Sequence, residues 1–304
     1  MSHPIPLIDL ETVTGDALVE HLARNSCVLL KNHGIDAPAL NALLTSADDF
    51  FALPVSDKRA VQWPGEGPWF GWQPVSEAAD YADLMERFEL RLDANLASDD
   101  RARWAGSFTA WPEKPDGFRD SWSTMYFALR DLTSRVMLLV ADGLGRRNED
   151  MTPWTSHQHS NLVANHYFAQ EVAPAAGRWR AHPHTDIGGI TLLWADHAPG
   201  GLEVAIDGGE TWVPVLIPAN TWLLQVGDLL HLWSGGRIPA NPHRVVNPPA
   251  GSKHAARRSI VYFHHPSPEV VVTPPAGDDR PAVTAEDYIL ARQQQDYART
   301  KPIL

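Results

Sequence analysis

The chain has 304 residues, 44% hydrophobic and 20% charged, with 25 Lys plus Arg against 37 Asp plus Glu and a formal net charge of −12. That size and hydrophobicity suit a full buried core, as one large unit or two smaller ones. The acidic balance, without a basic stripe, argues against a nucleic-acid or anionic-membrane surface. The single cysteine, Cys27, excludes a disulfide framework and a cysteine-rich metal site.

Cys27 sits in the apolar run SCVLLKNHG and is expected to be a buried small hydrophobe. The N-terminal MSHPIPLIDLE has neither the basic region nor the long apolar core of a signal peptide. No stretch reaches the roughly 18 apolar residues of a membrane span. The expectation is a soluble, cytoplasmic protein with no membrane partner.

In chain order, PIPLIDL reads as a short strand and GDALVEHLARN as an amphipathic helix, with Leu18 and Leu22 on one face. CVLLKNHG reads as a strand ended by glycine. The segment from Asp36, a candidate N-cap, carries Leu40, Leu43, Leu44 and Phe50 at helical spacing. Two turn-rich, aromatic segments follow, QWPGEGPWFGWQP and the region from Met85 to Asp93. From Phe118 to Leu144, an i, i+3/i+4 stripe of Trp122, Met125, Leu129, Leu132, Val136, Leu139 and Val140 predicts a long helix stopped by Gly145.

Past residue 160 the pattern changes. NLVANHYF, RWRAH, ITLLWAD, GLEVAID, TWVPV, TWLLQV, DLLHLW, HRVV and RRSIVYFHH are short β-type runs separated by Pro, Gly, Asn and Asp. Many strands without helices between them predict an antiparallel sandwich or barrel. AEDYILARQQQDYAR predicts a final helix. The expected architecture is mixed α and β. Residues 1–115 form an N-terminal flank of helices and strands. Residues 116–304 hold the long helix, the β core and the C-terminal helix, and all of it packs as one compact unit.

The chemistry begins at HPHTDIGGITLLW. Side chains alternate faces along a strand, so His184 and Asp186 converge on one point. An imidazole and a carboxylate are two-thirds of a facial metal triad. Downstream, His197, His231, His243, His254, His264 and His265 are available as the third member. His243 in NPHRVVN stands out, at the mouth of a β run after a turn. His231 lies inside an apolar run and reads as a packed residue. His182 shares a face with His184, but Pro183 sets it at the strand's edge. In RRSIVYFHH, Arg257 and Ser259 share a face, and a guanidinium fork beside a hydroxyl is a receptor for a carboxylate.

The order HxD, distant His, RxS resembles the iron(II)- and 2-oxoglutarate-dependent oxygenases of the isopenicillin-N-synthase-like family. It stands here as His184-Thr185-Asp186, His243 and Arg257-Arg258-Ser259. Asn165-His166-Tyr167, GGLEV, GDLLHLWSGGR and NPHRVVNP resemble further parts of the family core, and PLIDL and LLKNHGI its N-terminal region. The resemblance implies a double-stranded β-helix, or jelly roll, flanked by helices. It implies iron held by His184, Asp186 and His243, the distal carboxylate of 2-oxoglutarate on Arg257 and Ser259, and less direct contact from Asn165 and Tyr167. With dioxygen, oxidative decarboxylation of the cosubstrate is then expected to be coupled to C–H oxidation of a small molecule, as hydroxylation, desaturation or ring formation, in secondary metabolism. The loop VVNPPAGSKHAA is longer than in many members, which leaves Arg258 as an alternative to Arg257.

Trp69, Phe70, Trp72 and Phe263 are candidates for the substrate pocket, with ordinary core packing as the competing reading. Arg91 is a candidate second carboxylate anchor, with a solvent-facing arginine as its competitor. Three other functions remain open: a family oxidase that does not use 2-oxoglutarate, a non-catalytic jelly-roll binding protein, and a zinc hydrolase, since zinc accepts the same ligands.

Overall fold

A computed structural model describes residues 5–62, 70–75, 84–92, 111–146, 149–169, 179–198, 200–206, 210–249, 256–274, 277, 279 and 281–300. Strand Leu7–Asp9 (β1) is followed by helix Gly15–Asn25 (α1), strand Cys27–Lys31 (β2) and helices Ala37–Phe51 (α2) and Val55–Arg59 (α3). The Thr14 side chain accepts from the Ala17 amide to cap α1, and α1 ends at Ser26 in the left-handed region, φ 54°. Asp36 caps α2 through the Ala39 amide, as its sequence predicts.

Strands Gly71–Gln73 (β3) and Met85–Leu90 (β4) form an antiparallel pair inside the segments read as turn-rich. Helix Phe118–Gly143 (α4) buries the predicted stripe, and Gly145 follows at φ 76°. It crosses α1 so closely that a Cβ on Gly143 would lie 2.1 Å from the Gly15 carbonyl oxygen.

After the short helix Thr152–Thr155 (α5) come strands Asn161–Tyr167 (β5), Ala181–His184 (β6), Ile190–Ala195 (β7), Leu202–Ile206 (β8), Thr211–Pro214 (β9) and Trp222–Val226 (β10). Helix Asp228–Trp233 (α6), strands His243–Val245 (β11), Arg257–His264 (β12), Val271–Val272 (β13) and Val283–Thr284 (β14), and helix Ala285–Thr300 (α7) complete the described chain.

The main sheet runs β1-β2-β10-β7-β12-β5-β4-β3 and a smaller sheet runs β6-β11-β8-β9. From β5 to β12 the chain passes back and forth between the two sheets, and every pairing among these strands is antiparallel. This is a double-stranded β-helix. Four strands of the N-terminal region, β1 to β4, extend its main sheet at both edges.

The main sheet has two buried faces. Leu162, Ala164, Ile260 and Tyr262 meet Trp122, Met125, Leu129 and Val136 of α4 on the outer face. Val163, Leu193, Leu223 and Val261 face inward, toward Leu202, Val204 and Val245 of the small sheet. Cys27 belongs to this inner core at 0% exposure, and burial pushes its thiol up to about 12. Among the described residues, no helix is long and apolar enough to cross a membrane.

One predicted strand is a helix. DLLHLW forms α6, with Gly227 as its extended N-cap and Asp228 in its first turn. Its residues are buried on successive positions rather than alternate ones, which periodicity cannot distinguish from a core strand. Its first amides decide the matter. Asp228 N donates to the Asp186 carbonyl at 2.8 Å and Leu229 N to the Gly188 carbonyl at 3.0 Å, so the segment folds over the turn after HxD.

Candidate metal and cosubstrate site

His184 ends β6 and His243 begins β11, and the two are direct register partners. Their rings lie 4.2 Å apart, centroid to centroid. Asp186 lies past the strand end, so the turn, and not the expected alternation along one strand, brings its Oδ1 to 3.7 Å from Nε2 of each histidine. The three ligand atoms lie within 4.8 Å of one another, and among the described residues no other His, Cys, Asp or Glu group converges in this way.

Each ligand is aimed by a hydrogen bond on its far side. His184 Nδ1 meets the His182 carbonyl at 2.6 Å, and His243 Nδ1 meets the Asn241 carbonyl at 3.1 Å. A proline stands between carbonyl and histidine in both cases, Pro183 and Pro242. Proline fixes its own φ and holds the preceding residue extended, so the same three-residue unit presents both rings. With each Nδ1–H donating, each Nε2 lone pair faces the centre. The Thr191 hydroxyl donates to Asp186 Oδ2 at 2.6 Å, leaving Oδ1 for a cation. Burial brings His243 down to about 4, against the pull of Asp186, so its ring is neutral and a competent ligand. The His184 side chain is 44% exposed while Asp186 and His243 are 4% and 7%, so the centre opens on the His184 side.

The competing histidines point elsewhere. His197 bonds the Ile217 carbonyl, His231 that of Ile238, His264 that of Trp154 and His265 that of His159. The ring of His182 is not part of the cluster, though its carbonyl serves it. His254 lies outside the described residues.

On β12, Ser259 is the register partner of Asn165 and Arg257 of Tyr167. Asn165 Nδ2 donates to Ser259 Oγ at 3.1 Å, and the Arg257 guanidinium lies over the Tyr167 ring, 5.0 Å from its centroid. Arg257 is 2% exposed and its Nη1 is buried without a hydrogen-bond partner. A buried guanidinium nitrogen left unpaired is costly, and a carboxylate is its natural complement. Arg258 turns the other way, to Asp48 of α2 and to Asp196 at 3.5 Å. Alternation therefore sends Arg257, not Arg258, into the interior.

Arg180 was not apparent from sequence. It is fully buried, near the Tyr167 ring, and burial together with the Arg257 charge lowers it to about 10. Arg180 and Arg257 thus concentrate positive charge beside Tyr167, an environment that suits an anion.

The substrate candidates divide. Phe263 is on the inner face with Arg257 and Ser259, packed against the inner core. Its register partners are Asn161 and Thr191. Arg91 is 7% exposed, which overturns the solvent-facing reading. Its Nε donates to Asn161 Oδ1 at 3.0 Å, Asn161 Nδ2 donates to Glu89 Oε1 at 2.9 Å, and its guanidinium lies 4.9 Å from the Phe70 ring. Trp72 belongs to the outer core instead. It pairs with Phe88, and its Nε1 donates to Glu86 Oε2 at 2.8 Å, so it faces away from the metal cluster. Trp69 lies outside the described residues.

Comparison with known proteins agrees with this geometry. Residues 158–266 match the model of the 2OG-Fe(II) oxygenase superfamily, and residues 5–114 match that of the non-haem dioxygenase in morphine synthesis N-terminal region. The naringenin,2-oxoglutarate 3-dioxygenase of Petunia hybrida is 28% identical over 285 residues, 89% of this chain and 72% of its own. The validamycin A dioxygenase of Streptomyces hygroscopicus subsp. limoneus is 27% identical, over 97% of this chain and 87% of its own. A full-length Neurospora crassa protein, solved as a crystal structure in complex with alpha-KG, superposes with a TM-score of 0.81 at 26% identity, covering 95% of this chain and 96% of that one. By its paired family matches, its fold and its relatives, this chain belongs to the iron(II)- and 2-oxoglutarate-dependent oxygenases, enzymes that work with iron(II), 2-oxoglutarate and dioxygen.

Proposed function

We propose that His184, Asp186 and His243 hold the iron and that Arg257 and Ser259 hold the distal carboxylate of 2-oxoglutarate, with Asn165 and Tyr167 supporting them. The observation that carries this reading is the buried, unpartnered Arg257 Nη1 on the same inner face as Ser259. Bound iron supplies the oxidising chemistry, in which dioxygen and 2-oxoglutarate are consumed, succinate and carbon dioxide leave, and a substrate C–H bond is oxidised.

The chain's own residues bind and orient. Arg257 and Tyr167 give the cosubstrate a charged floor with an aromatic wall. Asn165 turns its amide onto Ser259 Oγ, so that the hydroxyl proton is free to donate to a carboxylate oxygen. The apolar inner core around Val163, Val261 and Leu193 excludes water from the far side.

The substrate is a small molecule, as the naringenin and validamycin A enzymes among the relatives support. Phe263, Phe70 and Arg91 are its proposed contacts. The row Arg91, Asn161, Phe263, Thr191 crosses the inner face of the sheet to Asp186, which supports the assignment. The same reading divides the chain near residue 115 into a flank and a catalytic part packed together. The fully buried lone thiol of Cys27 supports a cytoplasmic setting.

Anaerobic addition of iron(II) and 2-oxoglutarate tests the site. A weak visible charge-transfer band is expected, lost in His243→Ala and, for the cosubstrate, in Arg257→Gln. On admitting oxygen, succinate should form. A chain that binds both but never yields succinate would be a member that does not oxidise 2-oxoglutarate.

A further inference from the structure

Behind His243 lies a polar chain that joins three parts of the fold and touches neither the metal nor the cosubstrate position. Gln225 is on β10 of the main sheet, in register between Thr191 of β7 and Cys27 of β2, with its side chain on the inner face. It is 0% exposed, as is Asn241. Gln225 Nε2 donates to Asn241 Oδ1 at 2.9 Å, and Asn241 Nδ2 donates to Ser26 Oγ at 2.8 Å. The Asn241 amide donates to the Val226 carbonyl at 2.9 Å, and the Val226 amide donates to the Ser26 carbonyl at 3.0 Å.

Asn241 is thereby tied through both ends of its side chain and through its amide. Its carbonyl is the group that receives His243 Nδ1–H. Pro242 prevents the intervening peptide from donating any bond of its own. The orientation of that carbonyl therefore rests on the Asn241 side chain and amide. On the other side of the centre the equivalent carbonyl, His182 O, belongs to a half-buried strand end.

Full burial sharpens the point. Two carboxamides in an apolar interior are costly unless bonded, so a hydrophobic pair of the same volume would serve the core at least as well. Gln225 even leaves its Oε1 buried and unpartnered. Stability alone does not account for the pair.

We propose that Gln225 and Asn241 are positioning residues for His243. The Gln225 amide orients the Asn241 carboxamide, Asn241 holds its carbonyl in line with Nδ1, and His243 is kept as the Nδ1–H tautomer with Nε2 toward the metal. Ser26, the left-handed residue that ends α1, forms the outer end of the strap and links the N-terminal region to the metal centre.

The inference rests on the metal assignment, and the test separates the two. Metal-free protein is titrated anaerobically with Co(II), followed by its visible d–d absorption. Gln225→Leu and Asn241→Ala are each expected to weaken Co(II) binding about tenfold, the scale of lost support behind a ligand histidine. Because the residues act in series, the double variant should be no weaker than the weaker single one. In the Co(II) form, the exchangeable His243 Nδ1–H resonance should lose protection from solvent exchange.

Wild-type affinity and an unchanged Nδ1–H resonance in both variants overturn the inference, even if their melting temperatures fall. Should those variants not fold, Ser26→Ala removes only the outer acceptor and should still weaken binding by about threefold. No weakening there counts against the strap. If the wild-type chain itself binds no Co(II), the metal assignment fails and this inference with it.

Discussion

The Thr191 hydroxyl donates to Oδ2 of Asp186 at 2.6 Å and faces the aspartate from β7, the strand after the HxD turn. It decides which carboxylate oxygen is left for a cation. Thr191→Val keeps the shape and removes the bond, so iron or Co(II) affinity should fall roughly tenfold with little loss of fold. Thr191→Ser should restore it. Equal affinities for valine and threonine would show that the carboxylate is aimed by something else.

The two neighbouring arginines should behave as opposites. Arg257 is buried, and on the proposed reading its loss removes the charge that would complement the cosubstrate. Arg257→Gln should weaken 2-oxoglutarate binding by roughly thirtyfold or more, the scale of a broken buried charge pair. Arg258 pairs with Asp48 and Asp196 at a half-exposed surface. Arg258→Gln should leave cosubstrate binding unchanged and alter stability by less than about 1 kcal/mol. Calorimetric titration with 2-oxoglutarate measures both.

Stability should rise with pH across a defined window. Burial lowers His159 and His264 from 6.5 to about 4 and His265 from 6.5 to about 3. Between about 4 and 6.5 the unfolded chain binds protons that the native chain refuses, so unfolding becomes easier as pH falls. The contribution is complete above 6.5 and is lost through that interval. Glu89 works in the opposite sense, since burial raises it above its ordinary 4.5, but it is one group against these three and His243, which burial also lowers. Urea midpoints measured across this range should climb, and a flat profile would contradict the burial of these rings.

Gly227 sits against the turn that carries Asp186. A Cβ there would lie 2.2 Å from the Gly188 carbonyl oxygen and 3.1 Å from that of Asp186. Its φ of −98° is open to any residue, so the constraint is space alone. Gly227→Ala should cost roughly 1–3 kcal/mol by forcing the two segments apart. Metal affinity should fall with it, because the Asp186 carbonyl takes the Asp228 amide across this contact. A thermal melt and a metal titration on the same sample check the pairing of the two effects.

The parts of the site that were legible in the sequence share a two-residue spacing. For Arg257 with Ser259 and Asn165 with Tyr167 the pleat converts that spacing into a shared direction, whereas Asp186 lies past the end of β6 and is brought to His184 by the turn. The supporting residues carry no such mark. Thr191 and Gln225 are polar positions inside ITLLW and TWLLQV, where the apolar neighbours mask them. A polar residue in an otherwise unbroken apolar run was the available signal for both. Asn241 and His182 act through their backbone carbonyls, which no side-chain pattern reports, although the repeated proline before each ligand histidine was a clue. DLLHLW became a helix because its amides had carbonyls of the HxD turn to bond rather than a neighbouring strand. Arg91 could not be told from a surface arginine because its partner Asn161 lies on a different strand, far away in sequence.

The place of β12 has a consequence for how the protein comes to exist. The last strand of the jelly roll is also an interior one, lying between β5 and β7 in the main sheet. Until residues 257–264 have been synthesised and inserted, β5 and β7 each present an open edge toward a gap one strand wide. Such edges are templates for pairing with other chains, and the contacts that close them are long-range and slow to form. The same insertion brings in Arg257 and Ser259. A chain stalled short of β12 would therefore be prone to aggregate, and on the proposed reading it would also be catalytically silent, its cosubstrate pocket completed only in the step that removes that risk.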